Sequence, residues 1–131
     1  MRFAVDRLDH LVITCADLET TANWYQRVLG MERESFGRPA RTALKFGGQK
    51  INLHPWRAEY APHAAQPGPG TQDLCFITAV RAQDIVAHLH GCGVTVEVGP
   101  VSRVGALGPM SSVYCRDPDG NLIEISTYLD G

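Results

Sequence analysis

LDHLVITCADLETTANWYQRVLG, residues 8–30, is the stretch on which the reading of the fold turns. Leu8 to Thr14 is apolar and β-branched, which predicts a strand. Asp17 offers an N-cap, with Thr20 and Thr21 also available. Leu18, Ala22, Tyr25, Val28 and Leu29 then recur at near-helical spacing, and Gly30 supplies the stop. The same grammar returns later. DLCFIT at 73–78 predicts a strand, and Ala82 to Leu89 predicts a helix with Ile85, Val86 and Leu89 on one side. Gly91 and Gly93 end it. His10 and Gly30 stand 20 positions apart, as do Asp73 and Gly93, so strand, helix and stop recur at matching offsets. One unit is written twice.

Each copy continues with strands. The first has Glu32 to Phe36, Thr42 to Phe46 and Lys50 to His54, with a tight turn at Gly47-Gly48. The second has Val94 to Val98, Ser112 to Cys115 and Asn121 to Thr127. The turn residues Asp117-Pro118-Asp119-Gly120 join the last two. Between the copies, APHAAQPGPG at 61–70 can propagate neither helix nor sheet and reads as a connector. The class expected is α+β, with two paired βαβββ modules, one covering about 1–60 and the other about 71–131. A half of about 60 residues leaves one sheet face uncovered, and two halves can share it in one structural domain.

Bulk properties narrow the function. The chain has 131 residues, enough for one ordinary core. A net charge of −2 argues against nucleic acid as the main partner, because phosphate binding needs a basic face. No apolar run approaches the roughly 20 residues of a membrane span. The opening MRFAVDRLDH lacks the apolar stretch of a secretory signal, so a cytoplasmic location is expected. Cys15, Cys75, Cys92 and Cys115 form no C-x-x-C pair and read as small apolar side chains.

The chemistry lies in four positions. Strand alternation puts His10, Val12 and Thr14 on one face of the first strand. Asn52 and His54 share a face of the fourth, and Leu122, Glu124 and Ser126 share a face of the last. Asp73 takes the place of His10 in the second copy, and Glu124 is read as the counterpart of His54. The four equivalent places thus carry His, His, Asp and Glu. Two imidazoles with one or two carboxylates suit a divalent transition metal and leave positions open for water or substrate.

The pattern LDHLVIT, NWYQRVLGM, INLH, DLCFIT and DPDGNLIEI resembles the vicinal oxygen chelate superfamily. Its members include glyoxalase I, fosfomycin-resistance proteins, extradiol dioxygenases and bleomycin-resistance proteins. Through FGGQKINLH, GPVSRVGALGP and YCRDPDGNLIEIS the chain is most similar to the glyoxalase domain-containing protein 5 group. The resemblance implies modules forming a curved, half-open sheet around a divalent metal (iron, manganese, nickel or zinc), with His10, His54, Asp73 and Glu124 as ligands. It also implies a homodimer and a small oxygen-rich substrate, while the charge and the lack of a long apolar run are what speak against a nucleic acid or membrane partner. Asp73 stands where glyoxalase I and the fosfomycin enzymes usually place His. Direct binding, binding through water and orientation of His10 stay open for it.

In that mechanism a metal with open positions stabilises an oxyanion, and a ligand such as Glu124 can detach to act as general base. Gly99 to Ser111 reads as a Gly- and Pro-rich loop inserted in the second copy, where Arg103 can hold an anion or simply be solvated. Ser112 and Tyr114 share a face ahead of the turn, at the spacing of phosphonate contacts in fosfomycin-resistance proteins. Lyase or isomerase, ring-opening dioxygenase and transferase chemistry all remain open. So does a non-catalytic drug-binding protein of the bleomycin-resistance type.

Overall fold

The structure, a computed structural model, describes residues 1–129. Two compact units divide it, residues 1–68 and residues 69 onward, and each is a βαβββ module.

In the first unit β1 (His10–Cys15) leads to α1 (Leu18–Leu29), and β2 (Glu32–Phe36), β3 (Arg41–Phe46) and β4 (Gln49–Pro55) follow. Asp17 caps α1 by accepting a 2.8 Å hydrogen bond from the Thr20 backbone N–H. Gly30 closes the helix in the left-handed conformation, with φ of 66°, where only glycine is comfortable. The sheet order is β1-β4-β3-β2, with β1 and β4 parallel and the other pairs antiparallel. Alternation gives the sheet two unlike faces. Ile13, Cys15, Leu44, Ile51 and Leu53 point to one side, and all are fully buried. Ala22, Tyr25 and Val28 of α1 are buried with them, so this side is the core. Trp24 packs edge-on against Tyr25, with ring centroids 4.9 Å apart. The other face carries His10, Val12, Thr14, Lys50, Asn52, His54, Arg41 and Ala43.

The second unit repeats the order. β5 (Asp73–Ile77) and α2 (Ala82–Gly91) precede β6 (Val98–Gly105), β7 (Gly108–Arg116) and β8 (Leu122–Tyr128). Its sheet runs β5-β8-β7-β6, again with one parallel pair. Val113, Cys115, Ile123 and Ile125 are buried on the side that α2 lines with Ile85 and Leu89. The DPDGN motif is a clamp. The Asn121 side chain donates to Asp117 Oδ2 at 2.7 Å and accepts from the Gln72 N–H at 2.8 Å, tying the turn to the entry of β5.

The structure differs from the expectation in the middle of this unit. Val94 to Glu97 lie outside the strands, and the supposed loop from Gly99 is mostly β6 paired with β7. Pro100 is tolerated there because β6 is an edge strand, and the register shifts between Val98 and Val101. Gly99 is needed for a second reason. At φ of 120°, any Cβ would sit 2.5 Å from the Ser112 carbonyl oxygen. The Gly and Pro residues that suggested a loop are the devices of a bulged edge.

Candidate metal centre

Each unit presents polar side chains on the sheet face away from its helix. In the first, His10 opens β1 opposite Lys50. Its Nδ1 lies 2.8 Å from Asp9 Oδ1, and this hydrogen bond holds the Asp9 carboxyl below the usual range. With Nδ1–H donated to Asp9, Nε2 carries the lone pair that a metal needs. Asn52 lies between Val12 on β1 and Ala43 on β3, and its buried Oδ1 has no hydrogen-bond partner among the described residues.

His54 is placed differently from the sequence reading. It pairs with Thr14, four positions beyond the Lys50 that faces His10, which is roughly 13 Å along the strand at 3.3 Å per residue. Parallel pairing is the reason: the start of β1 meets the start of β4, so its end is remote. The backbone positions of the two imidazoles are therefore well separated along the sheet. His54 is instead nine-tenths buried against the Tyr60 ring, with centroids 5.1 Å apart. Burial lowers its pKa, and the nearby Arg41 and His63 charges push the same way.

In the second unit Asp73 opens β5 opposite Leu122, and Glu124 lies between Cys75 and Tyr114. Glu124 Oε2 accepts a 3.2 Å hydrogen bond from Ser126 Oγ, which lies 2.6 Å from Ser112 Oγ and 3.3 Å from Cys75 Sγ. Burial raises the Cys75 thiol pKa, and the Glu124 charge adds to the rise. On the same face Arg103 Nε donates to the Tyr114 hydroxyl at 3.0 Å. Arg103, Ser112 and Tyr114 therefore share the Glu124 face, though Arg103 comes from strand β6 and not from a loop.

The registers also correct the equivalence of the two copies. Glu124 pairs two places beyond Asp73, and Asn52 pairs two places beyond His10. Asn52 is thus the counterpart of Glu124, and His54 that of Ser126. The sequence held the signal: Ile51-Asn52-Leu53 matches Ile123-Glu124-Ile125 in its apolar flanks. Among the described residues, no three His, Cys, Asp or Glu side chains gather as a metal-binding group in one chain. The donor set of imidazole nitrogen, carboxylates and a bare amide oxygen does suit a divalent ion.

Comparison with known proteins decides the family. The model of the Glyoxalase/Bleomycin resistance protein/Dioxygenase superfamily matches residues 7–125. The chain belongs to this superfamily. Within it, the chain is 48% identical to a virulence protein of Salmonella typhimurium over 98% of its own length and 89% of that protein's. The crystal structure of that Salmonella protein superposes with a TM-score of 0.94, covering 97% of this chain and all of that one. A glyoxalase domain-containing protein of Mycosarcoma maydis is 51% identical over 98% of this chain and 72% of its own. Superfamily structures below 25% identity share the fold alone. One is an antibiotic-binding protein from a Streptomyces species, at 19% identity and a TM-score of 0.76, covering 98% and 100% of the two chains. Another is a Listeria monocytogenes fosfomycin-resistance protein in complex with Mn(II) and a dihydroxypropylphosphonic acid. It is 17% identical with a TM-score of 0.65, covering 96% and 93%.

Proposed function

We propose that the protein is a metal-dependent enzyme acting on a small oxygen-rich substrate, with His10, Asp73 and Glu124 as ligands. In this reading Asn52 takes the fourth position in place of His54. The supporting observation is the matched register: His10 with Asn52 and Asp73 with Glu124 form two half-sites of one pattern on the two sheets. A bound divalent ion (iron, manganese, nickel or zinc) supplies a Lewis acid for adjacent substrate oxygens. The chain's own groups supply the rest. Asp9 orients His10, the serine pair orients Glu124, and Glu124 takes a proton from substrate as general base. Arg103 with Tyr114 holds the oxygen-bearing end of the substrate, whereas Ser112, read from the sequence as a substrate contact, is fully buried and acts through Ser126. The likeness to the glyoxalase domain-containing protein 5 group is kept as part of this proposal. Lyase, isomerase and extradiol-type chemistry are its reaction classes.

Elemental analysis of tag-free protein tests it. About one divalent metal per chain is expected, together with a fall in melting temperature on chelation. His10→Ala and Glu124→Ala should each empty the site. A second reading is favoured by Asn52 and Asp73, which leave a weaker donor set than two imidazoles and two carboxylates. It is a non-catalytic small-molecule binder. Metal-free protein whose stability and ligand binding ignore chelator would establish that reading and end the first.

A further inference from the structure

We propose that the first unit carries a carboxylate-binding subsite at the His54 end of its sheet, formed by Arg41 and His54 with Tyr60 as platform. The subsite stands on geometry within this unit. Its assignment to the substrate rests on the proposed function.

Arg41 opens β3 and is half-buried, with its guanidinium carbon 4.2 Å above the Tyr60 ring. Most cations held by neighbouring side chains here have a carboxylate: Arg33 has Glu19, Lys45 has Glu34, Arg81 has Asp84 and Arg116 has Glu97. Among the described residues Arg41 has none. Stacking occupies one face of the guanidinium and leaves its N–H edge free, and that edge matches a carboxylate in two parallel hydrogen bonds. Partial desolvation makes the cation more attractive to an anion than a fully solvated one.

The neighbours point to the same ligand. Tyr60 also packs edge-on against His54, so Arg41, Tyr60 and His54 form one stack. His54 Nδ1 and Asn52 Oδ1 are buried on this face without hydrogen-bond partners. Leaving such atoms unpaired costs stability, and native structures keep few of them. Thr14 is buried beside His54 on β1, while Val12 and Ala43 flank Asn52 with apolar surface. A ligand with one planar negative group and a small apolar body fits this lining. Arg41 is the permanent cation at this end, and with the Glu59 carboxylate also reaching His54 the positive charge suits a monoanion better than a dianionic phosphate. The substrate class is therefore a small carboxylic acid with a hydroxyl group that donates to Asn52 Oδ1.

The test uses benzoate as probe on full-length protein stripped of metal with chelator, so it does not depend on the metal proposal. Benzoate titration is followed by NMR of the His54 ring and Tyr60, with benzamide as the neutral analogue of the same shape. The expected result is saturable shifts at His54 and Tyr60 with benzoate, and binding of benzamide weaker by about tenfold or more. Arg41→Gln should weaken benzoate to the benzamide level. Arg41→Lys, which keeps the charge and the folded sheet but loses the fork, should fall between. Shifts absent at His54, or benzoate affinity equal in wild type and both variants, would overturn the subsite.

Discussion

Asn52 and Glu124 hold the same register position in the two sheets, each two places past the residue that faces His10 or Asp73. One is a neutral amide and the other a carboxylate. Replacing the amide should strengthen metal binding, because a second anionic oxygen adds charge where a bare carbonyl now points. Asn52→Glu is expected to raise Zn(II) or Mn(II) affinity by about tenfold, and Glu124→Gln to lower it at least as much. Calorimetric metal titration of the two variants checks both.

Ser126 is the hub behind Glu124. Its hydroxyl donates to Glu124 and lies 2.6 Å from the fully buried Ser112 hydroxyl. Ser126→Ala removes the carboxylate's orienting bond and strands Ser112. Unfolding free energy should fall by about 1–2 kcal/mol, and metal affinity by about tenfold. Denaturant melts alongside metal titration separate the two effects.

Asn121 ties the turn after β7 to the entry of β5 through Asp117 and the Gln72 N–H. It is fully buried, so truncation leaves several polar groups unpaired. Asn121→Ala is expected to cost about 2–3 kcal/mol in denaturant melts. Hydrogen exchange at Gln72 should speed up in the same variant.

Cys115 gives a pH prediction. Burial, reinforced by the Asp117 and Glu97 charges, pushes its thiol from 9.0 up to about 11. A raised acid pKa favours the protonated folded form. The stabilisation is whole below about pH 9, where the unfolded thiol is still protonated, and is lost as pH climbs through 9 to 11. Cys115→Ala should flatten the alkaline limb of a melting-temperature profile relative to wild type. In the folded protein, iodoacetamide at pH 8 should spare the buried Cys115.

The homodimer that the family resemblance implies is tested by mixing. Light scattering should give twice the chain mass. If each metal takes ligands from two copies, His10→Ala and Glu124→Ala proteins, each metal-free alone, should regain part of their metal when unfolded and refolded together. No recovery from a refolded mixture would place each site within one copy.

Sequence alone determined the duplicated βαβββ order, because strand alternation, the Asp17 cap and the Gly30 stop act over a few neighbouring residues. It also determined the polar faces bearing His10, Asp73 and Glu124. It misjudged Gly99 to Ser111, where Gly and Pro serve an edge strand whose partner β7 is supplied only by folding. Register was decided by tertiary structure. Whether His54 or Asn52 stands level with Glu124 depends on how β4 slides against β1, a pairing across some forty residues that local propensity does not encode. The same long-range packing brought Arg41, Tyr60 and His54 into one stack.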